Sequence, residues 1–171
     1  MARLLLAGNL SSNRPELQGL AVDALVAAVD DGRLDGRLLG ETMRQLLTEG
    51  LAKPARLAKA LADAARVSPL HARVVASALQ RSTAGHSPPP FGFHALLELL
   101  KELLVETGQR VDDPEARATL GGLPSSGKTG RLVRDLLALE AMNARANRAA
   151  ALARALSSRV NRGERLVTSR A

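Results

Sequence analysis

Apolar residues recur at three- and four-residue steps along most of the chain, which is the spacing of helices that each bury one face. The most continuously apolar stretch covers residues 93–106 and reads FHALLELLKELLVE. On a helix its polar residues form one narrow stripe, so nearly all of the remaining surface is Leu, Ala, Val and Phe. We therefore predict a central helix that other helices cover on more than one side. It is too short and too charged to span a bilayer.

Capping residues, prolines and glycines mark where the other helices begin and end. Asn13, with Pro15 in the first turn, predicts a helix that runs to Asp31, and Gly32 supplies a left-handed stop. Asp35 predicts the cap of a second helix. The same signals recur along the chain at Gly50, Pro54, Ser68-Pro69, Phe93, Gly108 and Asp113-Pro114.

The predicted hairpins begin at equal intervals. Helix starts at residues 15, 54 and 93 give two steps of 39 residues. Apolar positions follow with slips of one residue: Leu17, Leu57 and Leu96; Leu20, Leu61 and Leu100; Leu25, Ala65 and Leu104. The partner helices also correspond, since Ser68-Pro69-Leu70-His71-Ala72-Arg73 is similar to Asp113-Pro114-Glu115-Ala116-Arg117. A hairpin cannot bury its inner face alone, so this period favours stacked helical repeats.

On this spacing and these caps, residues 10–140 resemble the HEAT and armadillo class of α-solenoid. They are also similar to the C-terminal helical-repeat region of large, uncharacterised bacterial proteins. The resemblance implies an all-α fold of stacked antiparallel helix hairpins. The alternative is a non-repeating helical bundle whose spacing is coincidental.

Composition agrees with an all-α fold, because Leu and Ala dominate and β-branched residues never cluster as they do in strands. The chain has no Cys, which excludes disulfides, thiolate metal sites and a Cys nucleophile. The N-terminus has no signal-peptide pattern, so we predict a cytoplasmic protein. Because the chain starts with a helical pattern, we also predict that Met1 opens a fragment of a longer array, whose cut end would expose Leu4, Leu5 and Leu6.

Charge divides the chain in two. Residues 1–140 hold 17 basic and 16 acidic side chains, whereas residues 141–171 hold seven Arg and one Glu. The net charge of +7 therefore comes almost entirely from the C-terminal stretch. We predict a helical-repeat domain at 1–140, followed at 141–171 by an Ala/Arg-rich basic helical tail.

The tail has an apolar seam beside an Arg face. The seam continues Leu132, Leu136 and Leu139 and consists of Met142, Ala146, Ala149, Ala153, Leu156 and Val160. Four basic residues fall on a neighbouring face and are the candidate partner-binding residues: Arg145, Arg148, Arg159 and Arg162. Such a helix can cap the array, pair with another helix, or lie on phosphates or anionic lipid. A solvated, partly frayed tail is the simplest alternative.

Residues 122–129, GLPSSGKT, match the phosphate-loop pattern GxxxxGK[ST] at every fixed position: Gly122, Gly127, Lys128 and Thr129. A functional phosphate loop joins a buried parallel strand to a helix. The helix is predicted at residues 131–140, but residues 109–121 carry five charges and a Pro and predict no strand. A helix-to-helix connection rich in Gly and Ser is the simpler interpretation.

The other polar groups do not form a recognisable catalytic or metal site. Residues 31–36, DGRLDG, begin like a calcium loop, but Arg33 and Thr42 stand where carboxylates are needed. His71, His86 and His94 are dispersed, and we expect each at a solvated or half-buried helix position. We therefore predict a non-enzymatic scaffold or protein-interaction module without a cofactor or metal. The alternatives are a nucleotide-binding protein using the phosphate-loop residues and electrostatic nucleic-acid binding through the Arg-rich tail.

Overall fold

The structure, a computed structural model, describes residues 8–86, 88–124 and 126–168, with side chains as far as residue 158. Residues 8–10 are helical, and every regular element in these ranges is a helix, which confirms the predicted all-α fold. The expectations for Leu4, Leu5 and Leu6 lie outside the described residues. The longer helices are α1 (Pro15–Asp30), α2 (Gly36–Thr48), α3 (Pro54–Ala65), α4 (Pro69–Thr83), α5 (His94–Thr107), α6 (Pro114–Gly122) and α7 (Gly127–Thr168).

Four of these helices begin at a proline, and this corrects the predicted first cap. The N-cap of α1 is Arg14, whose side chain makes no capping hydrogen bond, and not Asn13. The physical reason is that proline forces the residue before it into an extended conformation, so that residue must be the last one outside the helix. Arg14 has φ −93° and ψ 115°, and Lys53 before Pro54 is almost the same.

The other predicted caps and stops are confirmed. Asp35 Oδ1 accepts a hydrogen bond from the Leu38 amide at 2.7 Å, and Asp113 Oδ1 accepts from the amides of Glu115 and Ala116. Ser68 Oγ accepts from the His71 amide at 3.3 Å. The predicted glycine stops all have left-handed backbones, with φ of 67° at Gly32, 69° at Gly50 and 65° at Gly108.

Helices that are two apart along the chain lie side by side. Helix α1 contacts α3, α3 contacts α5, and α5 contacts α7; likewise α2 contacts α4, and α4 contacts α6. Helix α4 also packs on α3 and α5, which connects the two series. Short polar links add to this packing: the Lys53 amide donates to Ser11 Oγ at 2.6 Å, and Gln18 Nε2 donates to the Arg56 carbonyl at 3.2 Å.

Helix α5 is covered by other helices on more than one side, as its sequence predicted. It contacts α3, α4 and α7, and six of its leucines are buried: Leu96, Leu97, Leu99, Leu100, Leu103 and Leu104. Fully burying a Leu side chain stabilises the fold by roughly 1.5–3 kcal/mol, so α5 supplies a large share of the core.

Two leucines that fit the helical spacing of apolar residues are exposed. Leu20 of α1 is 66% exposed and Leu70 of α4 is 54% exposed. In α1 only the narrower stripe of Gln18, Ala21, Leu25 and Val29 is buried, because α1 packs mainly against α3 and α4. Periodicity therefore predicted which residues share a face but not how wide a face the neighbours cover.

The contact between α2 and α4 depends on two glycines. A Cβ atom at Gly36 would lie 2.5 Å from Ser77 Cβ and 2.6 Å from the Val74 carbonyl oxygen. At Gly40 it would lie 2.5 Å from both the Ala78 carbonyl oxygen and Arg81 Cβ. Real Cβ atoms do not approach other atoms so closely, and two of these four neighbours are backbone oxygens that cannot rotate away. The helices reach this separation only because both positions lack a side chain.

We expect Gly40→Ala to destabilise the fold by about 1–3 kcal/mol, since the added methyl group must push α2 away from α4. Gly19→Ala is the matched control, because Gly19 lies inside α1 with nothing near its Cβ position. The control should gain roughly 0.5–1 kcal/mol from the better helix propensity of Ala. Urea unfolding of both variants measures the difference, and equal effects at the two positions would contradict the close approach.

Candidate functional site

The phosphate-loop residues lie at a connection between two helices. Gly122 is the last residue of α6, and Gly127 is the first residue of α7. The segment that precedes the loop is therefore a helix, where a phosphate loop requires a strand. Lys128 and Thr129 lie in the first turn of α7, and Lys128 Nζ pairs with Glu98 Oε1 of α5 at 3.0 Å. In this arrangement the Lys128 side chain joins α7 to the central helix.

The first part of α7 is docked on α5 by apolar and polar contacts. Val133 and Leu136 are buried, and Lys101 Nζ pairs with Asp135 Oδ2 at 2.6 Å. Asn143 Nδ2 donates to two carbonyl oxygens, that of Leu104 at 3.2 Å and that of Gln109 at 3.0 Å. Ala144 is the last buried residue of the helix whose side chain is described.

From residue 145 to residue 158 every side chain of α7 is exposed, although the helix continues without a break to Thr168. We call residues 145–158 the exposed segment of α7. Arg145 and Arg148 belong to it, and neither forms an ion pair within the described residues. The side chains of Arg159 and Arg162, the other two predicted partner-binding residues, lie outside the described residues, and the backbone there is helical.

The exposed apolar residues of α7 face away from the docked side. Met142 is 64% exposed, Leu152 is 62% exposed and Leu156 is 53% exposed. At about 100° per residue, Leu152 and Leu156 each lie about 160° around the helix from the fully buried Leu136, and Met142 lies about 120° from it. We call Met142, Leu152 and Leu156, with Arg145 beside them, the outward face of α7. Our sequence reasoning missed Leu152, which stands one residue before the seam position Ala153.

A second polar group joins α2, α4 and α6, and we call it the Arg81 cluster: Glu41, Arg44, Arg81, Asp113 and Glu115. Arg81 Nε donates to Glu41 Oε2 at 2.7 Å, and Arg81 Nη1 donates to Glu115 Oε2 at 2.8 Å and to Asp113 Oδ2 at 3.4 Å. Arg44 Nε donates to Glu41 at 3.2 Å from the other side. The partners of Arg81 are 32 to 40 residues away in sequence, so no local pattern revealed them.

The cluster changes the acidity of its members. Hydrogen bonds from Arg44 and then Arg81 lower the pKa of Glu41 from 4.5 to about 2. Hydrogen bonds from Glu41 and Glu115 raise the pKa of Arg81. Both pKa shifts show that the hydrogen bonds stabilise the charged forms, so both side chains stay charged throughout the neutral pH range.

Beside the cluster is an open cleft of about 510 Å³, lined by residues of α2, α4 and the start of α6, including Arg37 and Asp112. Gln80 lines this cleft and binds the backbone of the segment before α6. Its Nε2 donates to the Arg110 carbonyl at 2.9 Å, and its Oε1 accepts from the Asp112 amide at 2.8 Å. Because Gln80 and Arg81 both bind the segment before α6, their polar groups hold the start of that helix against α4.

Two of the three histidines are buried, which corrects the expectation of solvated or half-buried positions. His71 Nδ1 lies 2.6 Å from Ser68 Oγ, and its Nε2 lies 3.3 Å from the Val26 carbonyl oxygen, so it links α4 to α1. His86 packs edge-on against Phe93 with ring centroids 5.4 Å apart. Its Nε2 has no hydrogen-bond partner within the described residues, and burial lowers the pKa of His86.

Within the described residues, no group of three or more His, Cys, Asp or Glu side chains is placed to hold a metal ion. Among the described helices none is long and apolar enough to cross a membrane.

A family model described as "Domain of unknown function (DUF7825)" matches residues 1–137. The chain belongs to the DUF7825 family. The matched residues include α1 to α6 and the start of α7, whereas the exposed segment of α7 lies beyond the match. No curated protein matches the chain, and no solved structure matches it. The function of this DUF7825 protein is therefore inferred from the contacts of its own residues.

We expect Glu41→Gln to lower the stability of this DUF7825 protein at pH 7 by up to about 1 kcal/mol, a modest loss because the Glu41 side chain is 45% exposed. Since the folded pKa lies below the unfolded one, the stabilisation is fully present above about pH 5 and is lost as the pH falls from 4.5 towards 2. Melting curves of wild type and variant should therefore converge near pH 2. Glu102→Gln, at an exposed position of α5, is the control, and a constant difference at every pH would exclude the proposed cause.

We expect acid below about pH 6.5 to destabilise the protein through His86, in a separate pH window. Because the folded pKa is the lower one, the unfolded state binds the proton more readily as the pH falls below the usual His value, and stability decreases. His86→Leu should remove this part of the loss between about pH 6.5 and pH 5. Thermal melts of the variant and of the half-buried control His94→Gln test the expectation. An unchanged acid slope in His86→Leu would contradict it.

Proposed function

We propose that this chain is a non-enzymatic helical-repeat module, a short α-solenoid that binds another protein through the exposed segment of α7. In such proteins each hairpin packs mainly on its neighbours, and the stacked hairpins form an extended support for binding surfaces. The contacts between alternate helices support this arrangement, as α1, α3, α5 and α7 form one series and α2, α4 and α6 form another.

We call helices α1 to α6 the body of the protein. Its charged residues support a scaffold role, because they join helices to one another. Arg81 connects α4 to α2 and α6, and Glu140 of α7 accepts hydrogen bonds from Arg110 at 3.3 Å and Arg117 at 3.1 Å. Lys128, the candidate phosphate-binding cation, has the same kind of task in its pair with Glu98. These links hold the base of α7 at a fixed angle to the body.

The observation that carries the proposal is the extension of α7 beyond the body. Residues 145–168 continue the helix for 24 residues, a length of about 36 Å at 1.5 Å per residue. Most helices in proteins owe their stability to packing along one face, and the described side chains of this extension have no such packing. Exposed Leu152 and Leu156 on a solvated helix indicate a surface that a partner covers.

We expect deletion of residues 145–171 to leave the body folded and to abolish partner binding. The deletion keeps Asn143 and Ala144, so every contact between α7 and α5 that is described above remains. The melting temperature should stay close to that of the full chain, because none of the described contacts that hold the body together is removed. Binding is measured by calorimetry, using a partner first isolated on the full chain and then purified. Retained affinity of the shortened protein would refute the proposed binding surface.

A further inference from the structure

The outward face of α7 combines exposed apolar side chains with positive charge. Met142, Leu152 and Leu156 supply the apolar part, and each is more than half exposed. The exposed segment contains Arg145, Arg148 and Arg154 and no acidic residue. An occupant that satisfies this face must therefore bring apolar side chains and negative charge together on one surface.

The spacing of the face identifies the shape of such an occupant. Met142, Ala149 and Leu156 are seven residues apart, and Ala146 and Ala153 lie between them at steps of four and three. This is the repeat that packs one helix against another in a left-handed coiled coil. The side chains of the alanines between Met142 and Leu156 are small. The backbone of a second helix can therefore approach α7 closely at these positions and pack larger side chains against them.

We propose that the outward face of α7 binds an acidic amphipathic helix of a partner protein, with apolar residues at heptad spacing and Glu or Asp along the edge that faces Arg145 and Arg148. The inference rests on the proposed function and adds the chemistry of the partner to it. The partner's leucines cover Met142, Leu152 and Leu156, and its carboxylates pair with Arg145 and Arg148 at the border of the contact.

Charge argues against a second copy of this chain as the occupant. Residues 141–171 carry seven Arg and one Glu, so two such helices side by side would face each other with strong like charge. Like charges at the borders of a helix pair disfavour that pair and leave oppositely charged partners preferred.

Duplex nucleic acid and an anionic membrane fit the face less well. Phosphates would match the Arg residues but would leave Met142, Leu152 and Leu156 in water, since phosphate contacts need only cations. A helix that lies in a membrane interface buries a broad face rich in Trp, Phe and Leu. The exposed segment has no aromatic residue, and most of its seam is Ala.

The experiment uses the full chain and two synthetic helices of about four heptads, both with Leu at the core positions. One peptide has Glu at both edges, which also prevents it from pairing with itself, and the other has Lys. Fluorescence anisotropy should show binding of the Glu peptide, with an affinity that falls as salt is added. The Lys peptide should not bind. Failure of the Glu peptide to bind overturns the proposal.

Paired substitutions test whether the face itself makes the contact. Leu152→Gln with Leu156→Gln should weaken binding of the Glu peptide by about tenfold or more, and Arg145→Gln with Arg148→Gln should weaken it and flatten its salt dependence. Gln keeps the helix propensity close to that of Leu and Arg. The controls are Leu70→Gln, at a position as exposed as Leu156, and Arg73→Gln, an exposed Arg of α4; both should bind like wild type.

Competing occupants give distinct results. Unchanged binding by the Leu152 and Leu156 double variant, tighter binding to a DNA duplex or to anionic vesicles, or a concentration-dependent dimer in sedimentation that the same double variant abolishes would each overturn the acidic helix as the occupant. The proposed function is tested separately by deleting residues 145–171. If a native partner needs that segment but the Glu peptide does not bind, the interaction module stands and the chemistry assigned to its partner is wrong.

Discussion

The close approach of α2 to α4 determines how the charged side chains of the body meet. Gly36 and Gly40 let the two backbones come so near that a methyl group at either position would overlap Ser77, Ala78 or Arg81. At this separation Arg81 Nε is 2.7 Å from Glu41 Oε2, one residue after Gly40. A wider spacing would lengthen this bond and leave a half-buried guanidinium without one of its carboxylates, which is costly. The steric fit and the ion pairs therefore depend on each other.

Ion pairs between α5 and α7 set the orientation of α7 on the body. Helix α5 is buried among α3, α4 and α7, and the ends of its ion pairs with α7 are Glu98 and Lys101, one helical turn apart. Lys128 and Asp135 reach these residues with opposite charges, so the pairs fix the direction of α7 along α5. Exposed ion pairs add little stability individually. Their contribution is orientation, because exchanging the ends of α7 would place like charges together.

Local chemistry accounts for what the sequence could predict. Asp35, Ser68 and Asp113 cap helices through bonds to residues two or three positions away, and the glycine stops act through their own backbones. The burial of α5 followed from a face too apolar for water. The wrong cap at Asn13 came from giving a side chain priority over the effect of Pro15 on Arg14. Contacts across 30 to 40 residues, such as those of Arg81 and Gln80, have no local signature and required the fold.

The limits of periodicity also explain why the outward face of α7 was only partly predicted. A repeat of threes and fours reports which residues share a side of a helix, but whether that side is covered depends on neighbours that the repeat does not contain. Leu20, Leu70 and Leu156 all fit helical patterns, and all three are exposed. The difference lies in their surroundings, since Leu20 and Leu70 lie on helices already anchored in the body, whereas Leu156 lies on a segment with no described contact to it. Among the described helices, only α7 combines an exposed apolar side with an unsupported segment and an unbalanced charge, and that combination is the physical basis for assigning a partner there.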